Sequence, residues 1–225
     1  MKKLIHILTF LSFLIPSITI QSQNFEGKIT MKMEILDVPK EMEQMKAMLE
    51  STITTYTKGK KSRVEMSNPM SGNSIIITDL TKNEVVMCMD MMGQKTAIVS
   101  TTDQYEEQNG QKEDVKVEYV SSNETKTIAG HSCKKTIAKI EHEGEKMDME
   151  IWYAPDIANT NLQMSEVSGM PLEYTMKVEQ FKMHFIATDV TEQSVSNDKF
   201  DIPAGYTLKT SEEFQKEMGS GTYGK

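Results

Sequence analysis

The sequence has few of the residues from which most catalytic and redox sites are built. Its 225 residues include two cysteines, four histidines and one tryptophan. It contains no Cys-x-x-Cys, His-Glu-x-x-His or Gly-x-Ser-x-Gly motif, and no Gly-rich phosphate loop, which are the signatures of common zinc, thiol, hydrolase and nucleotide sites. We therefore predict a protein that is not an enzyme and that uses no cofactor.

Positive charge is also scarce. Lysine and arginine number 25 against 33 acidic residues, for a formal charge of −8. This balance disfavours nucleic acid and anionic lipid surfaces as partners, because both are polyanions. The basic cluster of Lys58, Lys60, Lys61 and Arg63 is expected to be a solvated hairpin.

Long hydrophobic runs are confined to the N-terminus. Lys2 and Lys3 precede the apolar run Leu4 to Ile15, and a short, more polar segment that starts at Pro16 follows up to Ser22. This is the pattern of a signal peptide, and the run is shorter than the ~20 residues that span a bilayer. We predict that residues 1–22 are removed and that the mature protein is periplasmic or secreted and does not span the membrane.

Cys88 and Cys133 are the two cysteines. A disulfide is compatible with an exported protein, but the sequence does not fix the distance between them. A Cys88–Cys133 disulfide and two buried free thiols both remain open.

What the sequence does contain is a repeated alternation of apolar and polar residues. In Phe25 to Leu36 the odd positions are apolar apart from Gly27, and the even positions up to Glu34 are polar. Successive side chains of a strand point to opposite faces, so this pattern predicts a strand with one dry face. The alternation recurs in Val85 to Met92, Lys146 to Tyr153 and Tyr174 to Glu179, which favours antiparallel pairing.

These patterns predict a mainly β (α+β) fold. We expect a curved antiparallel sheet or half-barrel, with a short covering helix near residues 39–50 and a short C-terminal helix capped by Ser211. Residues 23–209 would form a single β-rich domain, and residues 210–225 a short helix and a flexible tail. The polar stretch 103–114 is expected to be an exposed loop.

Methionine is the unusual apolar residue on the predicted dry face. An ordinary core would favour valine and isoleucine, whereas unbranched thioether side chains suit surfaces that repack around variable partners. Plain core and an adaptable ligand groove are the two interpretations. The predicted sheet lining is Met31, Met33, Met66, Met87, Met89, Met147, Met149 and Met176, and the predicted helix lining is Met42, Met45 and Met48.

Metal binding is a weaker interpretation of the same residues. The run Met87 to Met92 brings soft sulfur ligands close together in sequence, which suits Cu(I), but period-two spacing is also what a strand with an apolar face produces. His131, Cys133 and His142 could form a loose zinc site, although their spacing matches no zinc motif. We predict no metal site.

Segments 124–135, 148–157, 169–176 and 200–208 resemble exported bacterial proteins of the domain of unknown function 4412 family. That family is similar in architecture to periplasmic lipoprotein-carrier folds. The resemblance implies a curved half-barrel, with helices over its mouth, that holds acyl chains. It defines no functional residues.

Together these observations predict an exported, non-enzymatic protein that binds a lipid or acyl chain in a methionine-lined groove. One alternative is a periplasmic copper-binding protein. The other is an envelope structural protein that pairs with a protein partner through exposed strand edges and binds no small ligand.

Overall fold

The computed structural model describes residues 25–38, 43, 46–68, 72–91, 93–108, 115–142, 144–178 and 181–219. The predicted signal peptide, the tail after Gly219 and most of the predicted covering helix lie outside these residues. The strands are β1 Glu26–Leu36, β2 Ser51–Lys58, β3 Lys61–Asn68, β4 Gly72–Asp79, β5 Glu84–Met91, β6 Gln94–Ser100, β7 Lys116–Ile128, β8 His131–His142, β9 Glu145–Ala154, β10 Met170–Val178, β11 Phe181–Glu192 and β12 Thr207–Thr210. The helices are α1 Lys46–Leu49, α2 Thr102–Gln108 and α3 Ser211–Gly219.

All of these strands belong to one 12-stranded sheet in the order β12-β6-β5-β4-β3-β2-β1-β11-β10-β9-β8-β7. Strands β1 to β6 form a first antiparallel meander and β7 to β11 a second, and the two join where β1 pairs with β11. The short β12 lies parallel to β6 at one edge. The predicted fold class, a mainly β protein with a curved antiparallel sheet, is confirmed.

Strand β1 shows how the alternation becomes structure. Its odd-numbered residues from Gly27 to Ile35 are buried while the even ones are half-buried or exposed. Gly27 is required for packing, because a Cβ atom there would lie 2.3 Å from the carbonyl oxygen of Thr191 on β11. The sequence pattern therefore places β1 correctly as the central strand with one dry face.

Strand register defines the two faces of the sheet. The face that carries Met31 is called the methionine face, and the other is called the opposite face. Partners directly across an antiparallel pair lie on the same face. One row of the methionine face therefore consists of Met31, Ile53, Met66, Ser74 and Met89.

In the second meander, a connecting segment covers the methionine face. The segment between β9 and β10 places Met164 and Val167 against Met149 and Ile151, and the resulting cluster is buried. Asn159 holds the segment in shape, because its amide donates to the carbonyl oxygens of Met164 at 2.7 Å and Val167 at 3.0 Å. Covered in this way, the face becomes ordinary core.

In the first meander, a second segment covers the opposite face of β4, β5 and β6. Residues 197–206, called the covering segment, pack Phe200, Ile202 and Tyr206 against a cluster of buried residues. These are Ile77, Val86, Cys88 and Ala97. The segments that cover the two meanders thus lie on opposite faces of one sheet.

Arg63 fixes the covering segment and corrects one expectation. Its guanidinium donates to the carbonyl oxygens of Lys199 at 3.2 Å and Asp201 at 3.3 Å, and Arg63 is only 8% exposed. The predicted solvated hairpin around Gly59 is therefore wrong for Arg63. The chain that returns after β11 lies over this residue, a contact that no local pattern encodes.

The expected loop 103–114 is also corrected, because its first part forms α2. Thr101 and Gln104 form a reciprocal cap, with Gln104 N donating to Thr101 Oγ1 at 3.2 Å and Thr101 N to Gln104 Oε1 at 3.0 Å. Tyr105 is buried. Helix α2 contacts β5 and β6 and also the turn Leu162–Met164. Curvature of the sheet brings these two regions together.

The predicted C-terminal helix is confirmed as α3, but its cap is Thr210 and not Ser211. Thr210 Oγ1 accepts a hydrogen bond from Glu213 N, and Glu213 Oε2 accepts one from Thr210 N. Among the described residues, no helix has the length and apolar character needed to cross a membrane.

Candidate functional site

The predicted sheet methionines all lie on the methionine face. Met87 follows from Ile29 through Thr55, Val64 and Ile76, and Met176 pairs with Met183, which pairs with Ile35. Met147 and Met149 pair with Ile140 and Ala138 in the second meander. The structure therefore brings onto one surface residues that are far apart in sequence.

Burial divides these methionines into two groups. Met31, Met33 and Met149 are 6–7% exposed and form part of the buried core. The remaining sheet methionines, Met66, Met87, Met89 and Met176, are half-buried, and Met147 is 36% exposed. Plain core therefore describes the first group and also Met176, which packs against the buried cluster that contains Met149.

The half-buried part of the face concentrates on β3, β4 and β5. It consists of Val64, Met66, Ile76, Met87 and Met89 and is called the open stripe. None of these residues belongs to a buried cluster of the described structure. The opposite face of β4 and β5 is already packed beneath the covering segment, so the open stripe is not needed to build that core.

The predicted helix lining is seen only in part. Met48 lies in α1, which contacts β1, and its side chain is 45% exposed. Met42 and Met45 lie outside the described residues. Within the described residues, the predicted helix is represented by Lys46–Leu49.

A row of hydroxyl side chains lies next to the open stripe on the methionine face, beside Val64, Ile76 and Met87. Strand register places Thr57, Ser62, Thr78 and Ser100 side by side on the methionine face, with Val85 between the last two. We call this set the hydroxyl row. All four side chains are buried, and Thr57 is fully so. The sequence analysis did not single them out, because isolated Ser and Thr residues are common in strands.

Thr57 differs from its neighbours in its hydrogen bonding. Its Oγ1 is a buried side-chain oxygen with no hydrogen-bond partner within the described structure. By contrast, Ser100 Oγ donates to the carbonyl oxygen of Val85 at 3.3 Å. A buried hydroxyl without a partner is unfavourable, so this position is chemically unusual.

The structure argues against the run that begins at Met87 as a copper site. Met87 and Met89 lie on the methionine face, whereas Cys88 between them is buried beneath the covering segment. One ion cannot bind side chains on both sides of a sheet. Burial also raises the pKa of the Cys88 thiol, which disfavours the thiolate that a metal requires.

The described residues do not support the zinc interpretation. His131 Nδ1 lies 2.8 Å from Asp156 Oδ2, His142 is exposed, and no three His, Cys, Asp or Glu side chains in the described ranges are grouped as metal ligands.

Cys133 and Cys88 are both buried and free. The disulfide alternative is therefore not formed, because strands β4, β3, β2, β1, β11, β10 and β9 lie between their strands.

Trp152 lies on the opposite face, where the second meander is charged. Lys126 Nζ lies 4.3 Å and Lys135 Nζ 5.6 Å from the centre of its ring. Lys126 pairs with Glu173 at 2.7 Å, and Lys135 pairs with Glu150 at 3.0 Å. Trp152 thus lies under lysine side chains and also packs against the buried cluster that contains Cys133.

A cleft of about 410 Å³ lies at the edge of the first meander. The residues that line it are mostly of polar type and include Asn83, Glu84, Ser100, Gln104 and Glu212. None of the predicted methionines lines it, so it is separate from the open stripe.

Comparison of the sequence with known proteins identifies a family. Residues 25–164 match the family model described as Domain of unknown function (DUF4412), which confirms the predicted family. No curated protein matches the chain.

Solved structures show likeness in fold. The structure of PNGF-II in the C2 space group is 13% identical, with a TM-score of 0.53, and the match covers 87% of this chain and 33% of that chain. The chain thus spans about a third of the PNGF-II chain, and at this identity the likeness concerns the fold alone.

Two mycobacterial structures match at lower TM-scores. Lipoprotein LppX of Mycobacterium tuberculosis is 7% identical with a TM-score of 0.39, covering 78% of this chain and 91% of that chain. LprF from Mycobacterium bovis is 9% identical with a TM-score of 0.35, covering 80% of this chain and 90% of that chain.

Proposed function

The chain belongs to the domain of unknown function 4412 family, and from this premise and its open stripe we propose that it is an exported, non-enzymatic protein that binds a lipid acyl chain. The family supplies no activity, so the proposal depends on the site. The single observation that supports it most is the exposure of the open stripe on strands whose other face is already packed.

The chemistry of the open stripe fits an acyl chain. Its five side chains are apolar, and the hydroxyl of Ser74 lies between Met66 and Met89 on the same face. The side chains of Met66, Met87 and Met89 are unbranched and polarizable. Such side chains adjust to a flexible guest with little strain, whereas β-branched residues do not. Partly exposed apolar side chains grouped on one surface are typical of ligand grooves and interaction sites.

Export is the second part of the proposal. Residues 1–22 have the composition of a signal peptide, with Lys2 and Lys3 before an apolar run. N-terminal sequencing of the protein from its source organism tests this part. A mature chain that begins near Gln23 is expected, and an intact N-terminus in the cytoplasm would contradict it.

Native mass spectrometry of protein purified from its source tests lipid binding directly. We expect adducts whose masses match lipids and which are released by organic solvent. Protein that is free of ligand in repeated preparations, and that does not bind the neutral hydrophobic dye Nile red, would contradict the proposal.

A matched pair of variants locates the binding surface. Met66→Asn places a polar amide in the open stripe, and Thr54→Asn places the same amide on the opposite face of the neighbouring strand. Both positions are half-buried. We expect the first variant to lower Nile red affinity about tenfold, equivalent to ~1.4 kcal/mol, and the second to leave it unchanged. Equal effects would show that the dye binds elsewhere.

A further inference from the structure

The hydroxyl row offers a polar contact at the buried end of the open stripe. Thr57, Ser62 and Thr78 lie on adjacent strands and face the same side as Met66 and Met87. All three are less than 5% exposed. The methionine face therefore changes from apolar to hydroxyl-bearing within one row of the sheet.

Thr57 Oγ1 is the group in this row that lacks a partner in the described structure. Buried hydroxyls normally find a hydrogen-bond partner in the protein, in water or in a ligand. Valine is nearly the same shape as threonine and packs equally well in strands, so packing alone gives no reason for a hydroxyl here. A group from outside the chain would supply the missing hydrogen bond.

The charges around the row restrict what that group is. On β11 the row continues to Glu192, which pairs with Gly27, is exposed and carries a negative charge. Strand register also places Gly27, Val85 and Ser100 in the row, and like the hydroxyl residues they are uncharged. A carboxylate or phosphate buried against them would have no cation to pair with, which is strongly unfavourable. An uncharged hydroxyl or ester oxygen needs only the hydrogen bond.

The spacing of the two features fits one amphiphilic molecule. Thr57 and Ile53 are four residues apart on β2, and Met66 lies directly beside Ile53. Four residues of an antiparallel strand extend ~14 Å, which is comparable with the reach of a dodecyl chain. The ring of Phe25 lies against Gly27 at the β1 end of the row and is itself buried.

We infer that the ligand is an amphiphile with an uncharged oxygen-bearing end, such as a fatty alcohol or an acylglycerol, and that this end hydrogen-bonds to Thr57 Oγ1 while the chain lies along the open stripe. This inference rests on the proposed function and adds to it the chemical class of the ligand. It makes Thr57 a determinant of ligand specificity.

The experiment compares three probes of equal chain length, dodecanol, dodecanoate and dodecane, by displacement of Nile red. The wild-type protein is expected to bind dodecanol most tightly. Thr57→Val should weaken dodecanol about tenfold, equivalent to ~1.4 kcal/mol, and change dodecane less than about twofold, a difference too small to indicate a lost hydrogen bond. Thr57→Ser keeps the hydroxyl and should keep the preference for dodecanol.

Ser100→Ala is the control, because it removes a hydroxyl from the same row whose hydrogen bond is made within the protein. It should not discriminate between the probes. An unchanged dodecanol affinity in Thr57→Val, or equal losses for dodecanol and dodecane, would overturn the inference and leave the proposed function standing. Tighter binding of dodecanoate than of dodecanol would also overturn it. Wild-type protein that binds none of the probes would contradict both.

Discussion

The two meanders use the same kind of strand to different ends. In the second, the segment that carries Met164 covers the methionine face, and the opposite face displays Trp152 among charged residues. In the first, residues 197–206 cover the opposite face, and the methionine face is half-buried at the open stripe on β3 to β5, although it is buried on β1 and in the hydroxyl row. The difference teaches that a dry strand face becomes core or candidate binding surface according to which connecting segment lies over it.

The largest expected effect compares the same substitution in both meanders. Ile151 and Ile76 both lie on the methionine face, but Ile151 is fully buried and Ile76 is half-buried. We expect Ile151→Ala to lower the free energy of unfolding by about 4 kcal/mol and Ile76→Ala by about 1 kcal/mol, because only the first leaves a closed cavity. Urea unfolding measures both, and equal losses would contradict the difference between the meanders.

Arg63 tests whether the covering segment depends on a single side chain. Arg63→Met removes the hydrogen bonds to the carbonyl oxygens of Lys199 and Asp201. We expect a loss of about 2 kcal/mol, since hydrogen bonds from a charged donor are strong, together with faster hydrogen exchange in residues 197–206.

The control is Lys146→Met, because the Lys146 ammonium lies 3.8 Å from Glu141 and both side chains are exposed. Exposed ion pairs contribute little, so a change below about 0.5 kcal/mol is expected. Unchanged exchange in the covering segment of Arg63→Met would show that its apolar contacts suffice.

Alkaline pH probes the buried thiols. Burial raises the pKa of Cys133 from 9.0 to about 11. Between these values the unfolded thiol is ionised while the folded one is not, so the unfolded state binds fewer protons and stability falls as pH rises. The expected slope is about −1.4 kcal/mol per pH unit.

This slope should be absent below pH 9.0, where both states keep the proton. Cys133→Ala is the comparison, because it lacks the titrating thiol. The free energy of unfolding of this variant should fall less steeply with pH, by about 1.4 kcal/mol per pH unit. Identical slopes in the wild type and Cys133→Ala, measured by urea unfolding across this range, would contradict the assignment.

The smallest expected effect concerns the charged face of the second meander. Lys126→Gln removes the pair with Glu173 and the contact with the Trp152 ring. A loss of at most about 1 kcal/mol that shrinks with added salt is expected. Lys146→Gln, at a 78% exposed side chain, should have almost no effect on urea unfolding. A salt-independent loss at Lys126 would point to packing as the cause.

Sequence patterns predicted the local geometry well. Period-two alternation in β1 and β9 placed Met31 and Met149 on one face, and strand register carried this to neighbours such as Met66. The patterns could not predict which connecting segment covers which face of the sheet. Residues 197–206 and the segment around Met164 have no periodicity, and their positions depend on contacts with distant strands.

The sequence analysis also missed features that depend on specific contacts and have no periodic pattern. Helix α2 begins with a cap formed by Thr101 and Gln104, which was hidden in a polar stretch, and Tyr105 is its single buried side chain. Strand β12 is short and pairs in parallel with β6, which lies over a hundred positions earlier in the sequence. Thr57 looks like any strand threonine until its burial and hydrogen bonding are known.

The central position of β1 has a consequence for the order of folding. Gly27 pairs with Glu192, so the first described strand waits for a partner made almost at the end of synthesis. Contacts between such distant positions form slowly, because a long loop must close first. A chain delivered N-terminus first would hold two separate hairpin stacks with unpaired edges until β11 arrives, and that interval is when assistance against aggregation matters most.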